Sequence, residues 1–328
     1  MIAYILRRLV QSALVMLTVA LVAFALFRFV GDPVASMVGQ EVSIEDREAL
    51  RTALGLNDPV PLQFLRFIGQ AVQGDFGISY RLQQPVMALI LSRLPATLEL
   101  ALVSGGLAFV FGVGLGVYTA LRRRGILSNA VMALSLIGVS LPTFLIGVLL
   151  IWVFAVELKW LPSFGRGEVV TLPGGWTTGF LTPSGRASLV LPAITLGLYQ
   201  MTLIMRLVRA EMLEVLRADY IRFARARGLS DRAVHFGHAL KNTMVPVITI
   251  TGLQLGSIIA FAIITETVFQ WPGVGALFIN SVRAVDVPVM SAYLVLIALI
   301  FVVINLIVDL LYYAVDPRLR VDRANARH

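Results

Sequence analysis

The stretch that decides the fold of this 328-residue sequence is DYIRFARARGLS, from Asp219 to Ser230, which lies between two long apolar runs. It belongs to a polar, arginine-rich segment, residues 206–242, in a chain whose remaining composition is that of a membrane protein. A hydrocarbon core does not accommodate such a density of charge, so the segment is predicted to leave the bilayer as a structured loop. A large ordered loop is the kind of surface that another protein binds.

The composition is far from that of soluble domains. Hydrophobic residues make up 58% of the chain and charged residues 14%, and the mean hydropathy is +0.86. Six uncharged runs are long enough to cross a hydrocarbon core of about 30 Å. They are residues 9–27, 100–121, 126–156, 187–205, 242–265 and 287–308. The third run exceeds one helix, which predicts a tilt or a break at Pro142. We therefore predict an all-α integral membrane protein with six transmembrane helices.

Basic residues are distributed unevenly between the two sides of the predicted spans. Four short segments hold 17 of the 27 lysines and arginines, and they alternate with the spans. These segments are residues 7–8, 122–124, 206–241 and 318–327. The positive-inside rule therefore predicts that both termini and the segment 206–242 are cytoplasmic. Alternation of this kind argues for membrane lipid, and against nucleic acid, as the neighbour of a chain with net charge +8.

Residues 31–94 form the longest segment on the predicted outer side. Ser43 as an N-cap, with Asp46 three residues later, predicts a short amphipathic helix that ends at Gly55. A second helix is predicted over 61–72 and a turn over 74–77. We interpret this segment as a helical cap inserted into one transmembrane domain that covers residues 1–328. The other outward segment, 158–188, is rich in Gly, Pro and Thr and is predicted to be irregular.

The polar segment itself contains two helical patterns. Apolar residues at helical spacing predict an amphipathic helix through Met212, Val215, Leu216, Tyr220 and Phe223. Gly228 is placed to end this helix in a left-handed conformation. Asp231 is predicted to cap a second short helix, which runs through Ala233, Val234 and Leu240. Two helices that meet at a glycine form a rigid projection, which favours a docking surface over an ordinary solvated loop.

Short motifs follow one another along almost the whole chain. They are ILRRL at 5–9, GDP at 31–33, LGLNDP at 54–59, GDFGIS at 74–79, RLPATLEL at 93–100, LPA at 191–193, RLVR at 206–209, ETVFQWPGVG at 266–275 and DPR at 316–318. This ordered series resembles the permease subunits of ATP-binding-cassette (ABC) importers, in particular the dipeptide, oligopeptide and nickel branch. Residues 219–228 match the form that the coupling loop takes in that branch, D-Y-x-x-x-A-R-A-x-G.

The resemblance implies a type I importer permease fold in which residues 206–242 are the cytoplasmic coupling loop. The positions that it implies at the contact with an ATPase are Asp219, Tyr220, Ala224, Arg225, Ala226, Gly228, Leu229, His238 and Leu240. The general importer motif, E-A-A-x-x-x-G, is matched only in part, because Arg222 and Phe223 stand at its first two positions. This departure follows the peptide and nickel branch.

The resemblance also implies the location, the partners and the mechanism. The location is the bacterial inner membrane, and the mechanism is alternating access. The partners are a second, homologous permease chain, two ATPase subunits or domains that bind ATP and magnesium, and an extracytoplasmic substrate-binding protein. Di- and oligopeptides are the expected cargo, and nickel chelates, glutathione and oligosaccharides remain open. No cofactor is expected in this chain.

Several observations argue against catalysis by the chain itself. Its only lysines, Lys159 and Lys241, do not follow a glycine, so the phosphate-binding loop G-x-x-x-x-G-K-[ST] is absent from the sequence. The sequence contains no G-x-S-x-G elbow and no histidine within a predicted span, which argues against an intramembrane protease. His235 and His238 lack a cysteine or third histidine nearby, so we expect surface residues and no metal site. A proton-coupled secondary peptide transporter is the alternative from another class, although acids are nearly missing from the span centres.

Isolated residues at the spans carry further predictions. Glu266, at the outer end of the fifth span, either lines the substrate path or pairs with an arginine or with backbone N–H groups, and both interpretations remain open. Glu99 and Asp309 are predicted to be interfacial or packing residues. Three glycines are predicted to allow close approach between helices. They are Gly112, Gly114 and Gly116.

Overall fold

The computed structural model describes residues 2–29, 34, 43–53 and 55–315, and most of these residues are helical. The helices are α1 Ile2–Phe29, α2 Ile44–Ala53, α3 Val60–Val72, α4 Val86–Leu121, α5 Ile126–Ser140, α6 Thr143–Leu150, α7 Pro183–Val215, α8 Asp219–Ala226, α9 Leu240–Val268, α10 Val274–Ala284 and α11 Val287–Val315. Two π-helical segments, Ile151–Glu157 and Ala233–Ala239, continue α6 and precede α9. A two-stranded sheet pairs β1 Val170–Thr171 with β2 Thr177–Thr178.

Some sequence predictions fall outside the described residues. They are the GDP motif at 31–33, the first residue of the motif at 54–59, the DPR motif at 316–318 and the basic residues that follow it.

Four of the described helices, α1, α4, α7 and α11, are long and apolar enough to cross a membrane. Two bent helix pairs raise the number to six if each pair counts as one span. The first pair is α5 with α6 and its π-helical continuation, and the second is Ala233–Gly252 with Gly256–Val268, bent by 52°. Each of the six predicted runs falls within one of these elements. The all-helical membrane fold is therefore confirmed, and the exact number of crossings stays a prediction.

The predicted break at Pro142 is present. The helices α5 and α6 meet there at an angle of 111°. Leu141 adopts an extended conformation, with φ −86° and ψ 138°, and its N–H still donates to Ile137 O over 3.0 Å. Proline has no N–H and disfavours the helical conformation of the residue before it, so the chain leaves α5 at Leu141 and starts α6 after Pro142.

The chain forms two compact units. The first contains residues up to 97, 171–177 and 272–302, and the second contains 98–170, 178–271 and the residues from 303 onward. The prediction of a single transmembrane domain over 1–328 stays a prediction.

In the first unit, the short helices predicted for the outer segment are present. The Asp46 N–H donates to Ser43 Oγ over 3.1 Å at the start of α2, and Gly55 follows the helix with φ +65°. The turn after α3 contains Gly74 and Gly77 with φ near +75° and +78°. Aromatic contacts attach α3 to α1, since the ring of Phe24 lies 5.4 Å from that of Phe64 and 6.0 Å from that of Phe67.

In the second unit, α4 packs tightly against α7. A Cβ atom placed on Gly116 would lie 2.6 Å from Val208 Cβ, and one on Gly112 would lie 2.9 Å from Ile204 Cβ. These distances are shorter than real Cβ contacts, so the two helices approach closely only because glycine stands there. The prediction for Gly112 and Gly116 is confirmed. It is wrong for Gly114, because a Cβ there would meet no described atom within 4 Å.

Candidate coupling surface

The helix α8 ends as the sequence predicts. Gly228 has φ +79°, and its N–H donates to Arg225 O over 2.9 Å. The Leu229 N–H donates to Ala224 O over 3.3 Å, which completes a Schellman motif. A Cβ on Gly228 would meet no described atom within 4 Å. Glycine is therefore favoured here by its positive φ and not by a steric clash.

The single amphipathic helix predicted across this region is wrong, because a turn divides it. Met212 and Val215 belong to the end of α7. The Arg217 and Ala218 N–H groups then donate to Glu214 O and Val215 O, each over 3.0 Å, and α8 begins at Asp219.

The turn changes which residues of α8 face the protein. Ile221 is fully buried and Ala224 nearly so, whereas 65% of Phe223 and 45% of Tyr220 is exposed. Because of the turn, α8 does not continue the helical phase of the residues around Met212. Tyr220 and Phe223 are therefore exposed, whereas Met212 is buried.

The second helix starts at a different cap from the predicted one. The Ala233 N–H lies 3.4 Å from Ser230 Oγ, and the Val234 N–H donates to Ser230 O over 3.0 Å. Ser230 therefore occupies the N-cap position, and Asp231 is the first residue of the helix. The π-helical turn that follows buries Val234 and Ala239.

The inner face of the coupling surface, residues 219–242, belongs to a hydrophobic cluster shared with the long helices of the second unit. Ile221, Ala224, Val234 and Ala239 pack with buried residues of α4, α7 and α9. Those partners are Ala108, Val117, Ala120, Ile204, Val208, Met212 and Val247. Residues 219–242 are therefore packed directly against these helices, and close-packed interiors resist compression.

Most of the residues named by the family motif lie on the outer face. Ala224 is buried and Leu240 is half-buried, so these two residues lie beneath the exposed face. The exposed ones are Asp219, Tyr220, Arg225, Ala226, Gly228, Leu229 and His238.

Sequence reasoning missed parts of this outer face. It placed Phe223 on the apolar face of one long helix with Met212, and it did not single out Phe236, which is 53% exposed. The Arg227 guanidinium lies 5.8 Å from the centre of the Phe223 ring. Asn242 Nδ2 donates to Tyr220 Oη and to His238 O, each over 3.0 Å, and so connects α8 to the start of α9. An aromatic residue within an arginine- and histidine-rich loop was the available signal for Phe236.

Glu266 is enclosed by the protein. The whole residue is buried, and its backbone oxygen accepts a hydrogen bond from the Trp271 N–H over 2.8 Å. Enclosure favours the structural interpretation of this carboxylate, and its role on a substrate path stays a prediction.

Glu99 has a packing role, as predicted. Its carboxylate receives hydrogen bonds from the Arg166 guanidinium and, over 3.2 Å, from the Gly179 N–H. It thereby connects the residues before β1 and after β2 to the first half of α4 within the second unit.

Two family models together cover nearly the whole chain. Residues 112–321 match the model described as "Binding-protein-dependent transport system inner membrane component", and residues 1–101 match the N-terminal model of the same transport systems. The chain belongs to this family. It is accordingly a multi-pass protein of the inner membrane and a membrane component of a binding-protein-dependent transporter.

Individual relatives agree with the family model. The chain is 36% identical to the dipeptide transport system permease protein DppB of Alkalihalophilus pseudofirmus, over 98% of this chain and 100% of the relative. It is 41% identical to the oligopeptide transport system permease protein AppB of Bacillus subtilis, over 97% of this chain and 99% of the relative.

A solved structure shares the fold. A chain of the inward-facing MetNI methionine ABC transporter superposes with a TM-score of 0.55 at 22% identity, over 70% of this chain and 97% of that chain. This inner membrane component therefore has the fold of a type I ABC importer permease.

Proposed function

We propose that this chain is one of two membrane subunits of an ATP-driven importer for di- and oligopeptides. The observation that carries the proposal is the close likeness, over nearly the full length, to permeases named for dipeptide and oligopeptide transport. Its partners would be a homologous permease chain, two ATPase subunits or domains, and an extracytoplasmic binding protein that delivers the peptide.

In this proposal the outer face of the coupling surface binds an ATPase subunit. Tyr220, Phe223 and Phe236 supply exposed aromatic surface, and Arg225 supplies a charge beside it. Aromatic and arginine side chains dominate the binding energy of protein interfaces, because they combine large contact area with directed polar groups. A surface of this composition suits a permanent subunit contact better than contact with water.

The inner face then carries the motion into the membrane. Closure of the ATPases around ATP and magnesium would move residues 219–242, and the buried contacts of Ile221 and Val234 would move α4, α7 and α9 with them. The work of this chain is mechanical, since its only lysines lie outside any phosphate-binding motif. ATP hydrolysis belongs to the partner subunits.

The orientation follows from the same assignment. A coupling surface that meets a cytoplasmic ATPase puts 206–242 and both termini in the cytoplasm, in agreement with the distribution of basic residues. Residues 31–94 and 158–188 then face outward, where the binding protein docks.

Reconstitution of the assembled importer tests the proposal. Peptide-loaded binding protein should stimulate ATP hydrolysis, and peptide uptake should stop when hydrolysis is blocked. A panel of peptides, nickel chelates, glutathione and oligosaccharides identifies the cargo. Uptake by this chain alone, driven by a proton gradient without an ATPase, would instead establish the secondary transporter.

A further inference from the structure

The first unit contains a cavity of about 230 Å³. It is bounded by α1, by α3, by the turn that follows α3 and by the start of α11. Five aromatic residues form much of its wall. They are Phe24, Phe27, Phe67, Phe76 and Tyr80. The volume lies below the range of about 300–1,000 Å³ that drug-sized ligands occupy, so the cavity suits a smaller molecule.

A buried amide contributes a hydrogen-bond acceptor to this cavity. Gln63 is only 8% exposed, and its Nε2 donates to Leu56 O over 2.9 Å and to Asp58 O over 2.7 Å. These two bonds use both N–H donors of the amide. Its Oε1 accepts no hydrogen bond from the described part of the chain and is the group that remains for a ligand.

Groups of opposite charge line the same cavity. Asp75 Oδ1 accepts the Gly77 N–H over 2.9 Å, and its Oδ2 has no hydrogen-bond donor among the described residues. The guanidinium of Arg66 uses Nη2 in a 2.9 Å contact with Asp58 Oδ2, which leaves further N–H donors. A carboxylate and an amide oxygen are therefore available to a cation, and a guanidinium is available to an anion.

We propose that this cavity binds a small zwitterion with an apolar side chain, namely a free amino acid or a dipeptide. The ammonium group would bind Asp75 Oδ2 and Gln63 Oε1, close to aromatic faces that attract cations. The carboxylate would bind Arg66, and the apolar side chain would lie among the phenylalanine rings. A dipeptide is also the proposed cargo, so this inference deepens the proposed function and rests on it. The site lies in the first unit, and its binding test measures neither ATP hydrolysis nor uptake, so failure of the site and failure of the proposed function are distinguishable.

A phosphoethanolamine headgroup shares this chemistry, because it also joins an ammonium group to an anion. A lipid would additionally need space for its acyl chains. The volume of the cavity favours the amino acid or dipeptide.

Titration of the complex with Ala-Phe tests the assignment. The permease–ATPase complex is placed in phosphatidylglycerol nanodiscs without its binding protein, and binding is followed by saturation-transfer NMR. We expect saturable binding of Ala-Phe and roughly tenfold weaker binding of N-acetyl-Ala-Phe, since acetylation removes one charge-assisted hydrogen-bond donor. Asp75→Asn should weaken Ala-Phe to a similar extent. The asparagine oxygen can still accept the Gly77 N–H, so the turn is retained.

Glu45→Gln is the matched control, because it neutralises an exposed carboxylate in the same unit that does not line the cavity. It should bind Ala-Phe as the wild type does. Equal binding of Ala-Phe by wild type and Asp75→Asn, or equal binding of the acetylated peptide, would overturn the proposal. Displacement of Ala-Phe when phosphatidylethanolamine is added to the nanodisc would assign the cavity to a lipid headgroup and would likewise overturn it.

Discussion

Glu99 and Arg166 form a buried ion pair between the first half of α4 and the residues that precede β1. Arg166 Nη2 lies 2.5 Å and Nε 3.1 Å from Glu99 Oε2, and the two side chains are 5% and 7% exposed for Glu99 and Arg166. The Gly179 N–H donates to the second carboxylate oxygen. Both charges are thus removed from water and satisfied by one another and by the backbone.

Removal of one member of this pair should destabilise the protein strongly. Glu99→Ala leaves the Arg166 charge buried without its partner, which typically costs about 3–5 kcal/mol. A large drop in the thermal unfolding temperature of the purified protein is expected. The control is Arg222→Ala, because Arg222 pairs with Asp219 at 3.4 Å on the exposed surface, where such pairs contribute about 0–1 kcal/mol. Equal shifts for the two variants would contradict a structural role for the buried pair.

Gly228→Val should separate ATP hydrolysis from transport. The φ of +79° at Gly228 is strained for a β-branched residue, and the left-handed conformation costs ordinary residues at least about 1–2 kcal/mol. The end of α8 should rearrange and displace the docking surface. ATPase activity and uptake by the reconstituted importer measure the effect. Gly228→Asn is the matched control, since asparagine tolerates this conformation better. Normal coupling in the valine variant would count against the proposed role of this segment.

Phe223 and Ile221 should respond in opposite ways to truncation. Phe223→Ala removes an exposed ring, so it should weaken ATPase binding and leave thermal stability almost unchanged. Ile221→Ala opens a cavity under the same helix and should reduce stability by about 2–5 kcal/mol. Co-purification of the ATPase and thermal unfolding distinguish the two effects. Retention of the ATPase by Phe223→Ala at wild-type yield would show that the docking face lies elsewhere.

Single cysteines test the orientation of the chain, which has no native cysteine. Ser230→Cys should resist a membrane-impermeant thiol reagent in intact cells and react after the membrane is opened. Glu168→Cys, in an exposed part of the segment 158–188, should react in intact cells. The opposite pattern of labelling would reverse the proposed topology.

Local properties of the chain were predictable. Runs of apolar residues located the helices and bent helix pairs that are long and apolar enough to cross a membrane, because this property depends on the residues of each run alone. Pro142 produced the expected break, since the missing N–H and the restriction on Leu141 act on adjacent residues. Gly228 adopts positive φ for a similar reason, because the end of a helix imposes that conformation on the next residue.

Other features depended on the phase of a helix. The sequence located helices within residues 206–242, but only the tertiary structure decided that Ile221 is buried and Phe223 exposed. The turn between α7 and α8 resets the helical phase, and the buried residues of α8 then pack with α4, α7 and α9.

Long-range pairing lay beyond the sequence altogether. Glu99 and Arg166 are separated by 67 residues, and the sequence around each residue does not indicate the other as its partner. The aromatic residues that line the cavity beside α3 are likewise brought together from separate elements, since Phe24 lies on α1 and Phe67 on α3. By itself the sequence determined the membrane class, the family and the spans, because these depend on composition and on motifs within single segments. The tertiary structure decided which polar groups meet, because contact between distant segments depends on how whole helices pack.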